Sequence, residues 1–93
     1  MTDMLTGLLF FLLLPPFSPP VVLDGDHEFE RINYPRSIAI YDSVLSYTAD
    51  SASVLWRLAR VYVCMADISP DEQQIDLYRQ AEEYARRCIK ADS

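Results

Sequence analysis

The fold is decided by two stretches in the C-terminal half, which read LWRLARVY over Leu55–Tyr62 and AEEYARRCI over Ala81–Ile89. Large apolar side chains recur on one helical face of the first stretch, and small side chains recur every third or fourth position in the second. Small residues let a facing helix approach closely. We therefore predict two interlocked antiparallel helices, over Ser51–Ala66 and residues 70–91. The residues expected at the interlock are Leu55, Leu58, Ala59, Tyr62, Ala81, Ala85 and Cys88.

Two shorter helices are predicted before this pair, near residues 21–32 and 34–47. Gly25 lies inside the first and disfavours it, and Phe29 and Ile32 are its inward-facing candidates. The second carries apolar residues at helical spacing, and a β-strand there would have no hairpin partner. Its predicted apolar stripe is Ile38, Tyr41, Val44 and Leu45. The chain over residues 24–93 is therefore expected to form an all-α domain.

Three helix starts are predicted from capping residues. Asn33 and Asp50 are expected to cap the second and third helices. Ser69 is expected to cap the fourth, with Pro70 at its first position and Glu72 at its third. The ion pairs expected on the last helix, from their spacing and order, are Glu82–Arg86 and Glu83–Arg87.

Composition limits the chain to one small domain and argues against several function classes. It has 93 residues, a formal net charge of −6, one histidine and two cysteines. Net negative charge disfavours a nucleic-acid interface. The sequence has no Gly-rich phosphate loop, no Ser/His/Asp arrangement and no metal-ligand spacing. We therefore expect no enzyme and no cofactor or metal site, and Trp56 and Tyr62 are interpreted as core aromatics.

The two cysteines are expected to be free thiols. In an antiparallel pair with a rise of about 1.5 Å per residue, Cys64 and Cys88 are displaced by roughly 20 Å along the helix axes. A disulfide needs Cα atoms within about 7 Å of each other. The predicted pairing therefore forbids an intrachain bridge.

The N-terminal segment, residues 1–23, is apolar and rich in proline, and Asp3 is its single charge. Its apolar run, Leu8–Leu14, is too short to cross a membrane, which takes about 20 helical residues. It is interpreted as a secretion signal, as a stub that docks on a membrane surface or partner, or as a misplaced start of the reading frame. A signal would lack its usual positive charge and cleavage site. Export or membrane association through residues 5–23 is favoured over a cytoplasmic location.

The spacing of the helices indicates a repeat. If Tyr41 is the central aromatic residue of one repeat, Leu55 is the first large residue of the next, at a period of about 34 residues. Leu58, Ala59 and Tyr62 then occupy its large, small and aromatic positions. This pattern resembles the tetratricopeptide repeat. The resemblance implies antiparallel helix pairs of an α–α superhelix, with about one and a half repeats present.

Two departures from the repeat pattern are visible. In the first repeat, Asp24, Gly25 and Glu28 stand where large, small and aromatic residues are usual, and Ser37 stands at a usual alanine. The second repeat carries about ten extra residues between its two helices, relative to the usual period. These are interpreted as a longer turn and an extension of the fourth helix.

One branch of this family shares the unusual second repeat. LWRLAR over Leu55–Arg60, an acidic insert, and LYRQAEEYARRCI over Leu77–Ile89 resemble the first repeat of the regulator of microtubule dynamics proteins and their bacterial relatives. The resemblance covers roughly the last forty residues. It implies a helical-repeat scaffold and does not extend to microtubule binding.

These patterns predict a non-catalytic helical-repeat module for protein–protein interaction, as part of a longer protein. Its partner would be a protein or peptide, or further repeats of the same chain. Arg57, Arg60 and Val61 are expected on its concave face, and Tyr84 on the uncovered side of the fourth helix. The alternative is a structural or oligomerising element whose apolar N-terminus packs on the repeats.

Overall fold

A computed structural model describes residues 21–92, and these contain four helices and no strand. Helix α1 spans Val22–Glu30, α2 spans Tyr34–Thr48, α3 spans Ala52–Asp67 and α4 spans Asp71–Asp92. The all-α prediction is confirmed, and most of the helix bounds lie within one residue of those expected. The interpretations of the N-terminal segment as signal, anchor or packed element concern residues that lie almost entirely outside the described range. Among the described helices, none combines the length and apolarity that a membrane span requires.

Helices α3 and α4 run antiparallel and make the most extensive contact between any two described helices. The thiol of Cys88 lies 3.4 Å from the carbonyl oxygen of Ala52, the rings of Tyr62 and Tyr84 stack, and the hydroxyl of Tyr78 donates to Asp67. Residue numbers therefore fall along α4 as they rise along α3. The predicted direction of this helix pair is correct.

The core is built where α2 meets α3. It contains Tyr41 and Val44 from α2 and Val54, Leu58 and Val61 from α3, all buried. Half-buried side chains from the other two helices, including Phe29 and Tyr84, close its edges. Burying these side chains stabilises the fold by roughly 25 cal/mol for each Å² of apolar surface removed from water.

Helix α1 is joined to α2 by an unusually close approach. The carbonyl oxygen of Gly25 accepts a hydrogen bond of 2.9 Å from the buried hydroxyl of Ser37, and the ring of Tyr41 lies directly over Gly25. A Cβ atom at Gly25 would lie under 3.0 Å from three atoms of that ring. Gly25 therefore permits this contact, and its helix-weakening effect is offset by packing.

The end of α1 differs from the prediction. The N–H of Asn33 donates to the carbonyl of Glu28 across 2.9 Å, and Ile32 between them has a φ of 61°. This is a Schellman ending with a left-handed residue, a conformation in which glycine is usual. Ile32 consequently leaves the helix and is 66% exposed. The expectation that it faces inward was wrong.

Two of the predicted caps were also wrong. Ser51, not Asp50, occupies the cap position of α3, while the carboxylate of Asp50 pairs with Arg87 at 2.6 Å. The hydroxyl of Ser69 donates to the carbonyl of Met65 at the end of α3, across 2.7 Å. Asn33 does occupy the cap position of α2, but without a side-chain capping bond.

The turn between α2 and α3 contains a second left-handed residue. Ala49 has a φ of 56° and a ψ of −155°, a combination that suits glycine far better than alanine. The Asp50–Arg87 pair lies beside this turn and joins it to α4. The turn therefore helps to fix the orientation of the second helix pair, α3 and α4, relative to the first pair, α1 and α2.

Candidate functional site

A pocket of about 190 Å³ lies between the first helices of the two pairs. Its lining, which defines the α1–α3 pocket, consists of Asp26, Phe29, Glu30, Trp56, Arg57 and Arg60. The two helices run parallel here, because Asp26 contacts Arg57 and Phe29 contacts Arg60, with 31 residues between the partners in each case. The pocket thus lies on the face formed by α1 and α3.

Asp26 links the residues that form the base of the pocket. Its carboxylate accepts hydrogen bonds from the hydroxyl of the buried Tyr41 and from Nε of Arg57, the latter at 3.0 Å. Nη2 of Arg60 lies 3.9 Å from the same carboxylate. One side chain of α1 therefore contacts both α2 and α3, and its acceptor capacity is engaged within the protein.

Arg57 is fixed in position by several partners. Besides Asp26, its Nη1 donates to the carbonyl oxygen of Ser53 at 2.8 Å and to the Ser53 hydroxyl at 2.9 Å. Its guanidinium also lies 4.6 Å from the centre of the Trp56 ring. The side chain is only 21% exposed, so these contacts within the protein fix its geometry.

Arg60 is held mainly by aromatic rings. Its guanidinium carbon lies 3.9 Å from the centre of the Phe29 ring and 4.9 Å from that of Trp56. Cation–π contacts of this kind contribute about 0.5–2 kcal/mol, more when water is excluded. Its Nε is buried and has no hydrogen-bond partner among the described residues. The rest of the guanidinium is partly exposed and lies 3.9 Å from Asp26, so this contact leaves part of its donor capacity unused within residues 21–92.

The electrostatics beneath the pocket are consistent with this arrangement. Burial raises the pKa of Tyr41, and its hydrogen bond to Asp26 raises it further. The phenol therefore stays protonated and acts as a donor to the carboxylate. Asp26 is thereby held in one orientation toward the two arginines.

A second polar cluster joins α2 to α4 on another side of the molecule. The rings of Tyr62 and Tyr84 stack with centres 5.5 Å apart, and the Tyr84 hydroxyl donates to Asp42 across 3.3 Å. Burial, with the charge of Asp42, raises the pKa of Tyr84 to about 12. Burial also raises the pKa of Asp42. The cluster acts as a packing contact, because its groups already satisfy one another.

The pairing of charges along α4 was predicted only in part. Arg86 pairs with Glu82 as expected. Arg87 instead pairs with Asp50, and that hydrogen bond lowers the pKa of the Asp50 carboxyl. Exposed pairs such as these contribute little to stability, because water and salt screen the two charges.

The structure separates the four residues expected to bind a partner. Arg57 and Arg60 both line the α1–α3 pocket. Val61 is fully buried in the core, so its assignment to an exposed concave face was wrong. Tyr84 is half-buried against Tyr62 and the core instead of lying on an uncovered side of α4.

The residues expected at the interlock divide between two degrees of burial. Leu55, Leu58 and Ala81 are buried. The half-buried ones are Ala59, Tyr62, Ala85 and Cys88. The contacts of Ala52 with Cys88 and of Tyr62 with Tyr84 lie on either side of Ala59, which places it opposite the 84–88 turn of α4.

Four of the six residues that line the pocket were not identified as site residues from the sequence: Asp26, Phe29, Glu30 and Trp56. Trp56 is 43% exposed and lies over the arginines instead of in the core. Asp26 and Phe29 meet α3 through contacts 31 residues away along the chain. The spacing of residues within one helix does not predict contacts between residues so far apart in the chain. The inward-facing assignment of Phe29 was the one available signal.

The other polar hollow of the described helices is not a comparable site. A hollow of about 290 Å³ between α1 and α2 is lined by Asp24, His27, Glu28, Arg36 and Ile40. The ion pair in this hollow joins Nε of Arg36 to the carboxylate of Glu28 at 3.7 Å, and the arginine is mostly exposed. Over residues 21–92, no group of three or more potential metal ligands comes together, and Cys64 and Cys88 are free thiols.

Comparison of the chain with protein-family models, with curated proteins and with solved structures found no match.

Proposed function

We propose that this chain is a non-catalytic helical-repeat module that binds a segment of a partner protein in its α1–α3 pocket. The observation that carries the proposal is the position of Arg60, whose guanidinium is stacked on Phe29 next to the exposed Trp56. An oriented cation beside accessible aromatic surface is a common means of recognising a peptide.

The packing supports a repeat similar to the tetratricopeptide repeat. Gly25 and Ala59 are 34 residues apart on the first helices. Ser37 and Ala81 are 44 residues apart on the second helices, as expected from about ten inserted residues. Gly25, Ser37 and Ala81 are all buried. The proposed module thus presents the first helix of each pair, α1 and α3, on one face, and further repeats of a longer protein are an alternative partner.

The chemistry of the pocket favours a ligand with a carboxylate next to an apolar side chain. Asp26 already accepts from Tyr41 and Arg57. The Arg60 side chain is 38% exposed, and within residues 21–92 its carboxylate contact is the long one to Asp26, at 3.9 Å. A carboxylate can accept two hydrogen bonds from one guanidinium. The half-exposed Trp56 ring offers apolar contact beside it. We therefore propose an acidic peptide segment as the partner.

The test uses three labelled peptides with blocked ends, in which leucine alternates with glutamate, glutamine or lysine. Binding is measured by fluorescence anisotropy at about 0.15 M salt, where long-range repulsion from the acidic protein is screened. We expect the glutamate peptide to bind best. Arg60→Ala should weaken it by about 10- to 100-fold, which corresponds to the loss of a charged hydrogen bond of about 1.5–3 kcal/mol.

Arg79→Ala is the matched control for this experiment. Arg79 is an exposed arginine of α4 that pairs only weakly with Asp76, at 3.8 Å. Its removal should leave peptide binding unchanged. Equal binding of all three peptides, or equal losses from the two variants, would refute the acidic-peptide assignment.

The second candidate function is a structural element whose N-terminal segment packs on the helices. It is favoured by a separate observation, the exposed apolar residues of α3 and α4, which include Trp56, Val63, Tyr78 and Ile89. Trp56 also lines the α1–α3 pocket, so the two candidates share one side chain. The peptide experiment distinguishes them through Arg60, which the first candidate requires and the second does not.

A further inference from the structure

The first helix pair shows which residues a following helix covers. Its half-buried apolar side chains pack against the core to which α3 contributes Val54, Leu58 and Val61. On α1 and α2 these side chains are Val22, Phe29, Tyr34, Ile38 and Leu45. Their positions define the surface that one helix pair offers to the next element in the stack.

The second helix pair repeats this surface and leaves it exposed. Offsets of 34 residues on the first helix and 44 on the second lead to Trp56, Val63, Tyr78, Glu82 and Ile89. Four of these five are large and apolar, with exposed fractions of 43% for Trp56, 41% for Val63, 40% for Tyr78 and 72% for Ile89. We call these four residues the end face.

A second copy of the chain stacked head to tail does not fit the end face. The helix that would meet it is the copy's α1, which must supply the counterparts of Leu55, Leu58 and Val61. With the same offset of 34, those counterparts are Val21, Asp24 and His27. Two polar groups would replace two buried aliphatic side chains, and burying them without partners is costly.

We propose that the end face is covered by Leu8–Leu14 of the same chain. These seven residues are all leucine or phenylalanine, so any side of the segment can make apolar contact. As two helical turns they would span about 10 Å, which matches the scale of the four end-face side chains. The occupant is thus a named part of the chain outside the described residues.

The attachment point lies at the correct end of the molecule. Because α1 and α3 run parallel with an offset of 31 residues, Val22 lies level with the first turn of α3. The same end of α3 carries Trp56 and faces the C-terminal part of α4, where Cys88 meets Ala52. The chain therefore enters α1 close to the Trp56–Ile89 end of the end face.

Residues 15–20, the tether between Leu8–Leu14 and the start of the helices, are long enough to reach the end face. Residues 15–20 contain four prolines, which favour an extended chain of about 3.1 Å per residue, or roughly 19 Å in all. Neighbouring helix axes are separated by about 8–10 Å. The tether can therefore pass the start of α3 and place Leu8–Leu14 against the end face.

Disulfide trapping tests this placement in the full chain. Cys64 and Cys88 are replaced by alanine, and Leu12→Cys is combined with Val63→Cys on the end face or, as a control, with Tyr47→Cys on α2, where Tyr47 is 70% exposed. A short tether gives an effective concentration on the order of 1 mM, so at about 1 µM protein the intramolecular bond should form about 10³-fold faster than an intermolecular one. We expect a monomeric bridge for the Val63 pair only. Equal trapping of both pairs, or bridges between molecules, would overturn the proposal.

Trp56 gives a second readout without introduced cysteines, because it is the only tryptophan of the chain. Leu12→Asp should shift its emission to the red and increase its quenching by acrylamide, independently of protein concentration. Leu23→Asp, at an exposed position of α1, is the control and should change neither. An effect that grows with protein concentration would assign the face to a second copy.

The membrane alternative is tested with the same fluorophore. Vesicles of phosphatidylcholine and phosphatidylglycerol are added to the full chain. If Trp56 emission responds to Leu12→Asp in buffer alone, the segment covers the end face. If the segment affects Trp56 only when vesicles are present, it binds lipid and the proposal is overturned. Peptide binding by Arg60 is measured separately, so either result leaves the α1–α3 pocket to its own test.

Discussion

The two helix pairs achieve close packing with different side chains. In the first pair, Gly25 and Ser37 are small, and the ring of Tyr41 fills the space between α1 and α2. In the second pair, Ala81 is the buried small residue, and the stacked rings of Tyr62 and Tyr84 lie beside it. One pair thus places its aromatic residue inside the contact, whereas the other places two aromatics at its edge.

The pairs also differ in what covers them. The first pair contributes its apolar side chains to a core completed by α3. The second pair has the most extensive contact between its own helices but leaves large apolar residues exposed. This difference indicates that the first pair is covered by α3, whereas part of the apolar surface of the second pair is covered by no helix within residues 21–92.

The largest expected effect concerns the aromatic residue of the first pair. Tyr41→Ala removes a fully buried ring and its hydrogen bond to Asp26, so we expect a loss of about 3–5 kcal/mol in the free energy of unfolding. Tyr84→Ala is the matched change in the second pair, and its half-exposed ring should cost less. Urea unfolding followed by circular dichroism measures both, and equal losses would remove the proposed distinction between the pairs.

Enlarging the small residue of the second pair should have the next largest effect. Ala81 is buried between α3 and α4, so Ala81→Leu should overpack the contact and cost about 1–3 kcal/mol. Ala91→Leu, on the exposed end of the same helix, should stay within about 0.5 kcal/mol of the parent. Thermal unfolding of the two variants gives the comparison. An unaltered melt for Ala81→Leu would contradict the interlock.

In the first pair, the corresponding test asks whether enlarging the small residue Gly25 stabilises or destabilises the protein. Gly25→Ala would normally stabilise a helix by about 1 kcal/mol, but here the new Cβ meets the buried ring of Tyr41. Since overpacking costs about 1–3 kcal/mol, we expect net destabilisation, of about 1 kcal/mol. In the second pair, Ala59→Gly should lose about 1 kcal/mol through helix propensity alone. A rise in melting temperature for Gly25→Ala would show that the ring moves aside easily.

The last expected effect appears only at alkaline pH, as a pH dependence of stability in the second pair. The pKa of Tyr84 is about 12 in the folded protein, against 10.0 for an ordinary tyrosine. Between these values the unfolded chain releases a proton that the folded protein retains, so stability falls as the pH rises from 10 to 12. Tyr84→Phe should reduce this slope. Tyr41 and Tyr62, whose pKa values are also raised, should keep part of it, and an unchanged slope would contradict the role of Tyr84.

The sequence was sufficient for the helices and for most of their bounds, but not for their capping residues. Apolar periodicity located α2, α3 and α4, and the small residues on α4 indicated its direction relative to α3. Asp50 and Ser69 were assigned as caps from local pattern alone. The first instead binds Arg87, 37 residues away, and the second bonds to the preceding helix. Local pattern cannot distinguish a cap from a polar side chain with a better partner elsewhere.

The candidate site could be predicted only in its arginines. Arg57 and Arg60 were identified from their place on a first helix, but Val61 was assigned with them although it faces the core. Adjacent helical positions differ by about 100° around the axis, so one residue separates a pocket from a buried position. Asp26 could not be found, because its role depends on α1 lying parallel to α3.

The two residues in left-handed conformation, Ile32 and Ala49, affect how mutation could change the shape of this protein during evolution. Each occupies a corner where glycine would relieve strain. A glycine would also widen the range of angles available to that corner. The same mutation would therefore relieve backbone strain but loosen the angle between successive helices. The curvature of the α1–α3 surface depends on that angle.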